Sequence, residues 1–513
     1  MTSRCHTGEP NRTTGPTHPL GAPGAPVRIR THSLTAATVV ALTLAPTILT
    51  APTATAAAPD PTVSDFNADG YADLAVGVPD ATVGGRAKAG YVNIVWGGKK
   101  GLGAHGNTRI SQARPGVPGT PETGDRFGAA VAVADVDGDG TADLVIGAPG
   151  EDVTGRGTDA GTVAVLRGAK GGLGTATTVA NGPSASAAYG KSVTAADLTG
   201  DGETDLAIGA TDEVVLAPNS GARSTVFTAP MGGRAPVLTT GDFDNDGTAD
   251  LAVAYWTRNQ PYTQSHVRLW SWEASESRLA NIWNTDNAGV TALASGDFDG
   301  DGHDDLALGE CREIADENID DPCGPEENAK GGGIHIHYGN ATGGYNFGSR
   351  TQTLNQDTPG VYGRAEDGDR FGASLAVLDW NGDGRDDLIA GAPGEAIGTR
   401  AGAGAATLLL GRSGGLVDPS GEATSTAYSQ NTAGVPGVTE AGDAFGTAVA
   451  TGDYDHDGTP DAAIGAPGEN NKSGGVWLLP ALSPADSYAI TPARLSLPSP
   501  STALSYGRTL SSH

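Results

Sequence analysis

At 513 residues the chain is long enough for two or three ordinary domains, yet 78 glycines, 5% aromatic residues and no long helix-period pattern make it a protein of short strands and tight turns. Its formal net charge of −29, from 60 acidic against 31 basic side chains, excludes a nucleic-acid partner, whose phosphates need Lys and Arg. No apolar run long enough to span a membrane follows the first 56 residues.

The chain opens with Arg28 and Arg30 ahead of the mostly apolar stretch Leu34 to Leu49, and Ala54-Thr55-Ala56 supplies a small-x-small cleavage site. Residues 1–56 are therefore expected to be a secretory signal peptide, and residues 57–513 a secreted, extracellular fold.

Seven phrases of one form then run through the chain, starting at Asp65, Asp135, Asp197, Asp242, Asp297, Asp379 and Asp453. Position 5 is always Asp (Asp69, Asp139, Asp201, Asp246, Asp301, Asp383, Asp457), position 6 always Gly, and position 9 again Asp (Asp73, Asp143, Asp205, Asp250, Asp305, Asp387, Asp461). Position 3 is always an oxygen donor: Asn67, Asp137, Thr199, Asp244, Asp299, Asn381 or Asp455. Ca²⁺ takes six to eight oxygens at about 2.3–2.6 Å, and alternate carboxylates around a sharp glycine turn supply them, so up to seven structural Ca²⁺ ions are expected on these residues. The loops are not EF-hands: position 12 should be Glu and is instead Val76, Ile146, Ile208, Val253, Leu308, Ala390 or Ile464, inside an apolar run that reads as a strand. Loops two, four, five and seven carry four carboxylates each and the others three, which is 25 of the 60 acidic residues; seven ions would bring −29 to −15.

The second phrase shows the whole unit. Asp125-Arg-Phe127-Gly128 opens it, Ala130 to Asp135 is a first strand, the loop turns, and Leu144 to Gly147 is a second strand ending in Gly-Ala-Pro-Gly. Gly161 to Leu166 is a third strand, Gly168 to Gly172 a turn, and Thr175 to Ala180 a fourth. The opening recurs as Tyr189-Gly190, Phe371-Gly372 and Phe445-Gly446, and the Gly-Ala-Pro-Gly at 391–394 and 465–468. On these paired motifs the chain resembles the FG-GAP repeats of the integrin α-subunit propeller and of secreted bacterial proteins, over about residues 62–513. The resemblance implies an all-β, seven-bladed β-propeller with Ca²⁺-binding loops between the first and second strands of the blades. It also implies a monomeric, non-catalytic binding or adhesion module for an extracellular protein or carbohydrate. The competing reading is an extracellular polysaccharide lyase or glycoside hydrolase using the central funnel. Blades four and five depart from the pattern, with Ala235-Pro236 and Val290-Thr291 in place of Phe-Gly.

Other features lie on the face opposite the metal loops. An acidic series follows the second strands: Asp80, Glu151, Asp212, Glu310, Glu395 and Glu469, read chiefly as caps on neighbouring loop backbone. Tyr255, Trp256 and Tyr262 with Arg258 offer flat rings for a sugar, whereas Trp270, Trp272 and Trp283 read as core. Cys311 and Cys323, twelve apart in an acidic loop, are expected to form a disulfide in an oxidising compartment. His335 and His337 alternate on one strand without a third metal ligand, and Gly411-Arg-Ser413-Gly-Gly415 is a hairpin turn and not a nucleophile elbow. The last segment, Ser505-Tyr506-Gly507-Arg-Thr-Leu510, looks like an opening strand without a loop, and is expected to complete blade one as a clasp.

Overall fold

The computed structural model describes residues 64–219, 222–259, 262–286, 289–310, 330–340, 346–498 and 504–511, all within one compact unit, Ala56–His513. They form seven four-stranded antiparallel sheets, the blades of a seven-bladed β-propeller. Blade two is built as its sequence suggests, from Ala130–Ala134, Asp143–Ala148, Thr162–Ala169 and Gly172–Asn181, paired in that order. Blades four and five, despite their missing Phe-Gly, are complete four-stranded sheets as well. Among the described residues no helix is long and apolar enough to cross a membrane.

Strand chemistry changes with distance from the axis. Second strands such as Leu74–Val78, Asp205–Gly209 and Asp461–Ala466 are buried at every residue, because neighbouring blades cover both faces; hence their continuous apolar runs. Outer strands such as Ser224–Thr228 are half exposed and polar. The first strands line the axis around a cavity of about 180 Å³, whose wall includes Thr194, Thr239, Ser295, Thr451 and Ser511.

The two halves of the repeat meet at each regular blade junction. The aromatic residues Phe127, Tyr189, Phe371, Phe445 and Tyr506 are buried, and their backbone N–H groups donate to carbonyls of the preceding blade: Ala89, Ala160, Gly331, Ala403 and Ser473, at 2.8–3.1 Å. The second-strand glycine of one blade then faces the Phe-Gly glycine of the next so closely that a Cβ has no room. A Cβ on Gly147 would lie 2.1 Å from the Gly190 carbonyl, and one on Gly465 would lie 1.9 Å from that of Gly507. The residue before each aromatic (Arg126, Ala188, Arg370, Ala444, Ser505) takes a left-handed backbone with φ of 50–61°, which bends the chain into this contact.

Blade one receives its innermost strand from the C-terminus. Thr509–Leu510 pairs with Leu74–Val78 through Val76↔Leu510 and Gly77↔Thr509, Ser511 N–H donates to the Ala75 carbonyl at 2.9 Å, and Asn93 Nδ2 donates to the buried Tyr506 hydroxyl at 2.9 Å. The ring thus closes by the same junction that opens blades two, three, six and seven.

Gly465→Ala should lower the unfolding free energy by about 1–3 kcal/mol, the usual penalty for overpacking. Gly414→Ala, where the nearest atom to an added Cβ is 3.6 Å away, should be near neutral. Removing residues 504–513 should lower the melting temperature far more than either; equal melts for the truncated and full chains would contradict the clasp.

Candidate functional site

The two faces of the ring use their polar residues differently. On the lower face lie the seven loops that lead into the second strands, six of them from the first strand of the same blade. The position-1 carboxylate folds each loop by accepting main-chain N–H groups: Asp65 from Asp69 and Gly70, Asp135 from Asp139 and Gly140, Asp297 from Asp301 and Gly302. The position-5 carboxylate accepts the N–H two residues on, as Asp139 does from Thr141 at 2.8 Å. Position 9 is buried in every loop. Its Oδ2 accepts the position-2 N–H, and in six loops its Oδ1 accepts an N–H at or just past the end of the third strand: for Asp73 these donors are Phe66 and Gly97, for Asp387 Trp380 and Gly411, whereas Asp250 Oδ1 in loop four has no such donor. Burial pushes these carboxyls up, to about 8 for Asp73, Asp250 and Asp305 and about 7 for Asp387 and Asp461.

Position 3 distinguishes the loops. Asn67 Oδ1, Thr199 Oγ1, Asp244 Oδ1 and Asp455 Oδ1 are shielded from solvent and accept no hydrogen bond. Asn381 Oδ1 accepts Asp383 N–H at 2.9 Å. In loops two and five the position-3 carboxylate meets an arginine instead: Arg167 Nε lies 3.5 Å from Asp137, and Arg350 Nη2 bonds Asp299. Carboxylate oxygens of Asp135, Asp137 and Asp143, of Asp242, Asp244 and Asp246, of Asp297, Asp299 and Asp305, and of Asp453, Asp455 and Asp457 come within 4.8 Å of one another. Such donor sets suit a hard divalent cation, and the shielded, unpartnered position-3 oxygens are what one would satisfy.

On the upper face, most of the acidic series is already engaged. Glu151, Glu395 and Glu469 accept the amides of Gln112, Gln356 and Gln430 at 2.5, 2.6 and 2.5 Å, each glutamine lying just past the outer strand of the preceding blade. Glu310 is held by Arg370 through Nε at 3.0 Å and Nη2 at 3.1 Å, and by the Thr291 hydroxyl. Asp80 sits between Arg126 at 3.9 Å and Arg508 at 4.0 Å. The glutamines carried a signal in the sequence, because each follows a polar residue at an outer-strand end, in Ser111-Gln112, Asn355-Gln356 and Ser429-Gln430.

An open cleft of about 530 Å³ crosses the upper junctions of blades two, three and four, lined by Arg126, Asp159, Ser186, Lys191, Thr211 and Gly233. Lys191 is anchored by donating to the Gly233 carbonyl at 2.7 Å. Beside it, Arg234 lies over the Trp256 ring at 4.9 Å. Tyr255 is not the exposed ring expected of it: it is buried, tilted against Phe227 at 4.7 Å and stacked on His266 at 4.9 Å. Its place on a strand buried between blades explains this. Trp270, Trp272 and Trp283 do pack against the core. His335 and His337 are buried together with rings 4.5 Å apart, and burial pushes them down to about 4 and about 3.

A relay that the sequence did not announce runs across blade four: Thr257 Oγ1 to His266 Nε2 at 2.9 Å, and His266 Nδ1 to Asp286 Oδ1 at 2.7 Å. Thr257 is 6% exposed, and Arg268 Nη2 donates to the same Asp286 oxygen at 2.6 Å. The relay therefore ties three strands together and presents no accessible nucleophile. Cys311, Cys323, Tyr262's side chain and residues 1–56 lie outside the described residues.

Family comparison finds the FG-GAP repeat at residues 58–95, 127–166, 189–227, 371–409 and 445–479, and an FG-GAP-like repeat at 242–308. Among curated proteins, the phosphatidylinositol-glycan-specific phospholipase D of Bos taurus is 35% identical over 177 residues, covering 33% of this chain and 20% of that protein. That of Homo sapiens is 34% identical over 175 residues, covering 33% and 20%. The chain thus matches about a fifth of the length of these relatives. Among solved structures, an exotype rhamnogalacturonan lyase aligns at a TM-score of 0.28 with 14% identity, covering 78% of this chain and 75% of that one. The six-bladed Aleuria aurantia lectin aligns at 0.33 with 10% identity, covering 71% and 93%.

Burial, reinforced by Asp125, Glu122 and Asp152 nearby, pushes the Glu151 carboxyl up to about 7 from its ordinary 4.5. A raised carboxyl favours the folded state below the unfolded value, and that contribution is lost as pH rises through the folded one. Glu151→Gln keeps an amide partner for Gln112 and removes the charge. The melting temperature of Glu151→Gln relative to the native chain should therefore rise between pH 5 and pH 8; a difference that stays flat would show that Glu151 titrates normally.

Proposed function

Because the chain belongs to the FG-GAP repeat family, we propose that it is a secreted, calcium-fastened propeller working as a monomeric, non-catalytic binding module. It takes an extracellular protein or glycan on its upper face. The observation that carries this reading is the fate of the upper-face acids. Glu151, Glu395 and Glu469 are spent on glutamine amides of the preceding blade and Glu310 on Arg370, so the carboxylates that a lyase or hydrolase would need fasten blades instead. What the upper face leaves open is the cleft over blades two to four, with Lys191 and Arg126 on its wall and Trp256 nearby. Polar anchors beside an aromatic plane suit recognition better than turnover.

Calcium fits the lower face on this reading. Positions 1, 3, 5 and 9 would hold it, with the position-7 carbonyl, and when bound it offsets the repulsion of three or four carboxylates in one hairpin. At a concentration 100-fold above its dissociation constant, one ion stabilises the folded chain by about 2.7 kcal/mol, so several together matter greatly.

Chelation with EDTA should lower the melting temperature by many degrees, with recovery on adding Ca²⁺; an unchanged melt would remove calcium from the reading. A panel of polysaccharides and extracellular proteins, assayed both for binding and for new reducing ends or unsaturated products, should give binding without products. Product formation that Glu395→Gln abolishes while the chain stays folded would make it an enzyme.

A further inference from the structure

We propose that loops two and five carry their own cation, a guanidinium, so that the propeller binds calcium at the other five loops and not at all seven. This rests on the calcium reading above and narrows it.

Loops two, four, five and seven have a fourth carboxylate at position 3, and the structure divides them into two pairs. In loops four and seven, Asp244 Oδ1 and Asp455 Oδ1 are shielded and accept nothing. In loops two and five the added charge already has a partner. Arg167 donates from Nη1 to Asp143 Oδ2 at 2.6 Å, with its Nε 3.5 Å from Asp137 Oδ2, and so spans positions 9 and 3 of loop two. Arg350 bonds Asp299 through Nη2 and lies over the Tyr338 ring at 3.7 Å.

The two arginines reach this place from different parts of their blades. Arg167 lies near the end of the third strand Thr162–Ala169, one residue before Gly168, whose N–H braces Asp143. Arg350 precedes the outer strand Thr351–Leu354 and reaches back across Tyr338. The residues that match Arg167 before the bracing N–H elsewhere include Trp96, Pro218 and Leu410, none of them cationic. Two independent routes thus reach one charge arrangement in loops two and five, while loops four and seven hold the same four carboxylates without it.

A planar guanidinium makes directed hydrogen bonds to the same carboxylate oxygens that a Ca²⁺ ion would need. For the ion to enter, Arg167 must give up Asp143 and Asp137 and then face a divalent charge at short range. In loops one, three, four and seven the position-3 oxygen accepts no hydrogen bond and the ion enters unopposed; in loop six it displaces only the Asp383 N–H from Asn381, the nearby Arg385 lying 3.4 Å from Asp383 and not on position 3.

The test uses the full chain, stripped with chelator, dialysed against Ca²⁺ and analysed for metal content, with calorimetric titration alongside. Seven loops less two predicts about five ions per chain, about six in either Arg167→Met or Arg350→Met, unchanged uptake in Asp137→Ala and one ion fewer in Asp244→Ala, which loses its position-3 oxygen altogether. Should the methionine variants fail to fold, the native count and the two alanine variants decide. Seven ions in the native chain, or equal losses in Asp137→Ala and Asp244→Ala, overturn the guanidinium assignment while leaving the calcium reading standing. No bound calcium at all overturns both.

Discussion

The position-9 aspartate is the contact on which six of the seven blades depend. In all but blade four, where Asp250 is held by the loop alone, its buried carboxylate ties two stretches of main chain that strand pairing alone leaves loose: the hairpin loop, through the N–H of Phe66, Val136 or Tyr454, and the end of the third strand, through the N–H of Gly97, Gly168 or Ala481. Burying a carboxylate is costly unless it is hydrogen-bonded, and two main-chain donors offset that cost. The glycine at the strand exit follows from the same brace. A Cβ on Gly97 or Gly168 would lie 2.1 Å from the carbonyl of Ala72 or Ala142, next to the bracing aspartate itself.

If the aspartates hold each blade, glycine pairs hold the blades to one another. Gly147 against Gly190 and Gly465 against Gly507 bring two backbones within a distance no side chain permits, and the buried aromatic before the second glycine fills the space beside it. The Gln–Glu contacts above these junctions add one fastening each at blades two, six and seven. Lower and upper faces are therefore locked by different chemistry, carboxylate to main chain below and side chain to side chain above.

This division explains how far the sequence could be read. The seven-fold loop phrase and the Phe-Gly spacing sufficed for the blade count and strand order, because both are local patterns with a fixed period. Position 9 is harder to read, since a metal ligand and a main-chain brace demand the same Asp. Pairings between blades leave only a partial trace: Gln112 with Glu151, Gln356 with Glu395 and Gln430 with Glu469 each span 39 residues, but Glu310, at the same place in its blade, is held by Arg370 instead. Tyr255 was misplaced for a related reason: an aromatic in a long strand reads alike whether it faces solvent or the next blade, and here Phe227 of blade three covers it. Arg167 and Arg350 share no sequence position, so their common role emerges only in three dimensions.

Blades four and five show what happens where the repeated junction is lost. Pro236 stands where the Phe-Gly glycine would be, against Gly209, and Ala235 replaces the aromatic plug. The sector is held by longer strands, 10 and 12 residues in Asp250–Asn259 and Tyr262–Glu273, and by its own contacts: Lys191 to the Gly233 carbonyl, Trp256 Nε1 to the Val290 carbonyl, and the Thr257–His266–Asp286 relay with Arg268. A regular junction constrains the backbone at two glycines and leaves little freedom to vary. A junction made of side chains can exchange them while the ring stays closed. The open cleft runs from the regular junction of blades two and three to this sector, where Gly233 and Ala235 form its far wall, so one end of it is built by the repeat and the other by side chains free to vary.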